Sequence, residues 1–324
     1  MNMTGTVASD GTISGTWEDD FGGYRSGTWS SITGKAVPVC TATGFFRDGI
    51  NMTAALINPS GTVTGDVNAT GCNIGVYYDQ NGVIDGANIF GSNYFGVLAK
   101  TTATVTTGDI NVDVKNSSIH NIGDVPLSGN QHGVAVYYRA MNDSTDGVYK
   151  LTGEISGNTI TLWQKGGITV NGTNANVSVK NNEVDGANLS YITAANSVQF
   201  GWNAAGLITH NNIGGNQWCG PSDYVATAVL LYGVSYVDVI QNNIRGNSDV
   251  GIYADTSNSV IDNNKIFDEG IDCNVGGYDY GLGNYGSENV ITNNKVKGFA
   301  TPYDSVFDGK NKVIPGPQKV NPWW

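Results

Sequence analysis

One short unit recurs along this chain: an Asn or small polar residue, one variable residue, then Ile or Val. It reads Ser117-Ser118-Ile119, Asn158-Thr159-Ile160, Asn182-Glu183-Val184, Asn211-Asn212-Ile213, Asn242-Asn243-Ile244, Asn264-Lys265-Ile266 and Asn294-Lys295-Val296. Ala87-Asn88-Ile89 and Val67 extend the series upstream, and from Val67 onward the apolar positions are 22, 30, 41, 24, 29, 31, 22 and 30 residues apart. Such a period without a helical pattern predicts stacked β coils, each burying its apolar edge only against its neighbours.

A second motif alternates with the first. Its copies include Gly75-Val76-Tyr77, Gly96-Val97-Leu98, Gly133 to Tyr137, Gly167 to Val170, Ser197 to Phe200, Ala228 to Tyr232, Gly251-Ile252-Tyr253 and Gly281-Leu282-Gly283. Strand alternation turns Val134 and Val136 inward and Ala135 and Tyr137 outward. The minimal coil is about 22 residues, with two strands and room for a third. About nine coils stacked at roughly 4.8 Å give a rod on the order of 40 Å long. Equivalent residues then lie above one another, so the repeated Asn side chains are expected to form an amide ladder beside the apolar stack.

The expected fold class is thus all-β, a parallel β-helix over residues 41–300. Residues 1–40 read differently: Gly11 to Trp17 and Ser26 to Ser30 are paired strand-like units, expected to form a β-hairpin or meander that caps an open solenoid end. Residues 301–324 carry Pro302, Pro315, Pro317 and Pro322 and read as an irregular tail ending in Trp323-Trp324.

Composition narrows the partners. The chain has 28 acidic against 16 basic residues, a net charge of −12. No basic stripe exists to neutralise nucleic-acid phosphates or meet an anionic membrane. No apolar run approaches the roughly 20 residues of a membrane span. The opening Met1-Asn2-Met3-Thr4 has no signal-peptide pattern and reads as a start Met on a mature secreted chain. Cys40, Cys72, Cys219 and Cys273 form no C-x-x-C pair, which argues against zinc. An even Cys count, few Lys, and Asn-x-Ser/Thr sequons at Asn2, Asn51, Asn68, Asn116, Asn142, Asn171, Asn176 and Asn188 point to an oxidising extracellular or cell-surface setting and a glycoprotein.

The chain resembles the right-handed parallel β-helix repeat proteins of the pectate-lyase-like superfamily. The resemblance spans about Val63 to Val296 and rests on Val179 to Val184, Val239 to Ile244 and the Gly-Ile/Val strand starts. It implies the right-handed fold. It leaves function open among lyases, hydrolases, epimerases, tailspikes and surface adhesins. Lyases of that superfamily use carboxylate-bound calcium with an Arg or Lys base, and its galacturonases use clustered Asp. No such cluster lies on the outward strand column here.

Four coils carry extra residues at one corner, in loops 123–131, 186–196, 214–226 and 268–279, a pattern that builds binding faces on solenoids. Cys219 and Cys273 fall in two of these loops and are expected to pair, with Cys40 bonded to Cys72. Outward aromatic and polar residues beside the loops form the expected glycan-contact set: Tyr137, Tyr191, Gln199, Trp218, Tyr232 and Tyr253. Asp249 and Asp279, with Asp272, Glu269 or Asp268, are the candidate calcium ligands. Lys165 lies three coils from Asp249, roughly 14 Å at the stacking repeat, too far to share a reacting centre. His120, His132 and His210 read as turn residues. The leading expectation is a secreted or surface protein that binds glycans or neighbouring chains without catalysis. A lyase or epimerase acting on uronate polymers, and a self-assembling filament or surface-layer subunit, are the alternatives.

Overall fold

A computed structural model describes residues 2–7, 13–19, 25–30, 38–101, 108–140, 149–270, 272–305 and 312–313. The chain divides into two units, Met1–Val39 and Cys40–Trp324. Among the described residues there is no helix.

The first unit is an antiparallel meander of Asn2–Val7, Ile13–Asp19 and Arg25–Ser30, paired in that order. This is the meander expected near the N-terminus. Residues 314–324, with Trp323 and Trp324, lie outside the described residues.

The second unit is a parallel solenoid with up to three strands per coil. Each coil places one strand in a common sheet: Ile50–Ile57, Ile74–Tyr78, Phe95–Lys100, Val134–Arg139, Gly166–Asn171, Asn196–Gly201, Thr227–Ser235, Val250–Ser257, Tyr280–Asn284 and Thr301–Asp304. Thr41–Arg47 pairs antiparallel with Ile50–Ile57 at one edge. Thr301–Asp304 pairs in parallel with Tyr280–Asn284, so the column runs past residue 300, where the irregular tail was expected to begin. Two further columns complete each coil, exemplified by Leu151–Ser156 and Thr159–Trp163. Gly82–Phe90 is long enough to serve both, pairing Val83 with Asp113 and Ile89 with Ile119.

Register follows the repeat. Val67, Ile89, Ile119, Ile160, Val184, Ile213, Ile244, Ile266 and Val296 are successive partners in one column. Val76, Val97, Val136, Ile168, Val198, Val229, Ile252 and Leu282 are partners in the common sheet. Both series are buried in one continuous core.

The Asn residues form the expected ladder. Asn158 Nδ2 donates to Asn182 Oδ1 at 2.9 Å, Asn182 to Asn211 at 2.9 Å, Asn211 to Asn242 at 2.9 Å, Asn242 to Asn264 at 3.0 Å and Asn264 to Asn294 at 2.9 Å. Each accepting oxygen also takes the backbone N–H of the preceding ladder Asn. The second amide hydrogen reaches a core-strand carbonyl, as from Asn211 to Val179 O at 3.0 Å. No ladder side chain leaves a buried polar atom unpaired, so burial costs little. The residue before each ladder position turns left-handed: Asn116, Gly157, Asn181, His210, Gln241, Asn263 and Asn293 have φ between 48° and 68°. Asn and Gly tolerate this region best. His210 is therefore a turn residue, its Nδ1 2.7 Å from Thr209 Oγ1.

The common sheet departs from simple alternation. Ala135 and Val136 both join the inner core, whereas Val134 and Tyr137 belong to a separate outer cluster. The expectation that Val134 points in and Ala135 out is corrected. The position Gly75, Gly96, Ala135, Gly167, Ala228, Gly251 and Gly281 faces the apolar stack and must be small: a Cβ would lie 2.7 Å from Ile89 Cγ2 at Gly75 and 2.8 Å from Ile119 Cγ2 at Gly96. A small residue at this point of the second motif is thus a packing requirement, met elsewhere by Ala135, Ser197 and Ala228.

Asn211→Ala leaves the side-chain amide and backbone N–H of Asn182 without their acceptor. Equilibrium denaturation is expected to show a loss of about 2–4 kcal/mol, against a change within about 0.5 kcal/mol for the exposed neighbour in Asn212→Ala.

Candidate functional site

The glycan-contact set does not come together as one surface. Tyr137 is only 5% exposed. The Thr41–Arg47 strand folds across the outer face of the early coils, with Phe45 joining the cluster around Tyr137 and the Arg47 guanidinium 5.4 Å from the Phe95 ring centre. The Tyr137 hydroxyl accepts from Asn171 Nδ2 at 3.0 Å and Arg139 Nη1 at 3.2 Å. Trp218 is likewise buried, its Nε1 donating to Ser222 O at 2.8 Å and its ring packed with Ala194 and Ala226. Both are structural and are removed from the contact set. Gln199 is half-buried and bonded to Asn171 and Asn196.

Tyr232 and Tyr253 do reach the surface, in a row the sequence reading had not assembled. Four successive coils each contribute one ring: Trp202, Tyr232, Tyr253 and Tyr285. The Trp202 and Tyr232 rings lie 5.9 Å apart, edge to face, and the Tyr253 and Tyr285 rings 4.5 Å apart. Trp202 is 47% and Tyr232 50% exposed. Tyr285 lies over Gly283, where a Cβ would come within 2.8 Å of its ring. Its hydroxyl donates to Asp304 Oδ2 at 2.9 Å. Burial, then that carboxylate, raise its pKa well above the ordinary phenol value.

Trp202 occupies a costly backbone position, with φ of 53°. From the sheet register, its counterparts in the neighbouring coils are Gly172 and Gly233, with φ of 111° and 58°. A bulky residue there costs ~1–2 kcal/mol relative to glycine, and exposed Trp202 recovers little of that by packing.

Tyr191 stands elsewhere, 71% exposed, on the wall of a cleft of about 690 Å³ between insertion loops 123–131 and 186–196. Val125, Leu127, Leu162 and Ile192 present apolar surface there. Asp124 braces the first loop. It accepts from Ser128 Oγ and Asn130 Nδ2 and pairs with His132 Nε2 at 2.9 Å. Burial pushes the Asp124 carboxyl up, but hydrogen bonds from Ser128, His132 and Asn130 outweigh it and leave the pKa below the ordinary value. The His132 ring packs 3.9 Å from Tyr94, and His120 stacks on Phe90. All three histidines are held structurally.

The calcium set does not assemble. Asp249 is fully buried, and its Oδ2 accepts the backbone N–H groups of Ala226 at 2.8 Å and Trp218 at 3.1 Å. Asp279 Oδ2 accepts Ala300 N–H, and Asp272 Oδ1 accepts Asn274 N–H. These carboxylates pin loops. Among the described residues no three or more His, Cys, Asp or Glu are gathered as metal ligands. Lys165 donates to Ala194 O and is lowered to about 8 by burial. The disulfides are those expected, Cys40–Cys72 and Cys219–Cys273, with Cα atoms 5.4 and 5.0 Å apart.

No family model matches this chain, and no curated protein matches it. Among solved structures, a lacto-N-biosidase of glycoside hydrolase family GH136 from Eubacterium ramulus is similar, at 12% identity and a TM-score of 0.48, over 76% of this chain. The match spans half the length of that protein.

Burial raises the Asp249 carboxyl to about 7, despite the lowering effect of its backbone donors. The folded chain therefore holds a proton that the unfolded chain, near the ordinary value of about 4, has released. Stability from this group is greatest below pH ~4 and declines as pH rises to ~7. Asn can accept the same N–H bonds without charge. Denaturation of Asp249→Asn beside the parent at pH 4.5 and 8 is expected to show the variant gaining on the order of 2–3 kcal/mol between the two.

Proposed function

We propose that this chain is an extracellular, non-catalytic binder of neutral glycans, and that the row Trp202, Tyr232, Tyr253 and Tyr285 is its contact surface. The observation that carries the reading is Trp202, an exposed indole at a left-handed corner where the flanking coils use Gly172 and Gly233. Backbone strain at an exposed aromatic makes sense when the ring meets a partner. Tyrosine and tryptophan join an apolar face to a polar edge, which suits the C–H faces and hydroxyls of a pyranose.

Asp255 and Asp304 flank the row on a chain of net charge −12. Charge complementarity therefore favours a neutral chain over a polyuronate. Two disulfides and the sequons support an oxidising setting. The rings come from four successive coils, so the ligand is a polymer or long oligosaccharide lying along the stacking axis.

Affinity electrophoresis through gels carrying neutral or uronate polysaccharides tests the reading. Retention by a neutral polymer is expected, weakened at least tenfold by Tyr232→Ala and by Trp202→Gly (about 1.4 kcal/mol or more), while Trp202→Gly leaves the melting temperature unchanged or higher. Retention by uronates alone, release of shortened or unsaturated products, or retention indifferent to both substitutions would overturn it.

A further inference from the structure

The cleft beside Tyr191 lies apart from the aromatic row and has a different chemistry. Its most telling residue is Leu162, which has φ of 51° and is 69% exposed. Two residues past the apolar position of the repeat, other coils carry Gly91, Asn121, Gly246 and Gly298, all at positive φ. Ala69, Gly186, Gly215 and Asp268 hold the same place without a positive φ, and among the coils that do turn left-handed here leucine is the exception. Its side chain supports no core. It projects with Val125, Leu127, Tyr191 and Ile192 into a space within the size range of small-molecule pockets.

The charge of the cleft is one-sided. No Lys, Arg or His is among the residues lining it, and its two carboxylates are Asp124 and Asp185. Ser128, Asn130 and His132 already satisfy Asp124. Asp185 has no side-chain hydrogen bond or ion pair among the described residues. A bare carboxylate beside an apolar wall, on an acidic protein, attracts a cation that can also bury hydrocarbon.

We infer that the cleft between loops 123–131 and 186–196 binds a small organic cation with an apolar body, the hydrocarbon resting on Leu162 and its apolar neighbours and the charge facing Asp185. Leu162 supplies contact area at the cost of backbone strain, and Asp185 selects the sign of charge. This site is separate from the proposed glycan surface and stands whether or not that reading does.

A matched pair of probes tests it: naphthalene-1-methylammonium and naphthalene-1-carboxylate, titrated into the full chain by calorimetry. The ammonium is expected to bind at one site per chain, at least tenfold more tightly than the carboxylate. Asp185→Asn should bring the two affinities to within about threefold. Leu162→Gly should weaken the ammonium at least fivefold while raising the melting temperature, which separates lost contact from lost fold. Trp202→Gly should leave ammonium binding unchanged. Equal or tighter binding of the carboxylate by the parent chain, no saturable binding of the ammonium, or affinity insensitive to Leu162→Gly would overturn the inference.

Discussion

The buried amide ladder is the interaction on which the rest of the solenoid depends. From Asn182 to Asn294, each rung accepts from the side-chain amide and the backbone N–H of the Asn one coil earlier and donates to a carbonyl in the core. A rung shifted by one residue would leave several buried polar groups unpaired and would turn the neighbouring Ile or Val outward. The ladder therefore sets register by penalty as much as by attraction. The intervals between rungs vary from 22 to 31 residues, because only the rungs must align, and the loops between them are free to grow.

That freedom is used unevenly. The early coils of the common sheet lose their outer face to the Thr41–Arg47 strand, which buries Tyr77, Phe95 and Tyr137 in a second apolar layer. The later coils keep theirs open, and Tyr232 and Tyr253 stand on it. One column of backbone thus supplies a sealed face and a bare one, decided by what packs over it. At the insertion corner, the loops are held by specific devices: Asp124 in the first, Asp249 beneath Trp218 and Ala226 in loop 214–226, and the Cys219–Cys273 bond between that loop and 268–279. Their polar groups are largely engaged in that work, which explains the absence of an assembled metal site among the described residues.

Trp202 and Leu162 share a logic. Each sits at a corner that bends left-handed in several coils, and each puts a large apolar side chain where its counterparts are chiefly glycine. Repetition makes the comparison internal to one chain. It shows what the corner needs for folding, and so isolates what these two residues add.

Much of the fold was legible in the residue order. Stacking coils place equivalent residues above one another, so the Asn-x-Ile/Val unit carries both register and core, and Val67 to Val296 pair as their spacing implies. The loop positions at 123–131 and 186–196 showed in the long interval from repeat position to next strand start, and the Cys219–Cys273 pairing in the place of both residues in such loops. What lay over each outward face was decided only in three dimensions. Tyr137 and Tyr253 have the same place in their strands, yet one is sealed by Phe45 and its neighbours and the other faces outward. Asp249 was legible as an acid on a loop, but the backbone donors that consume it belong to other coils. Left-handed backbone at Trp202 and Leu162 had a faint signal in the glycines of neighbouring coils. Recognising it required the register, because strain depends on φ, and which glycine is the counterpart depends on which coils touch.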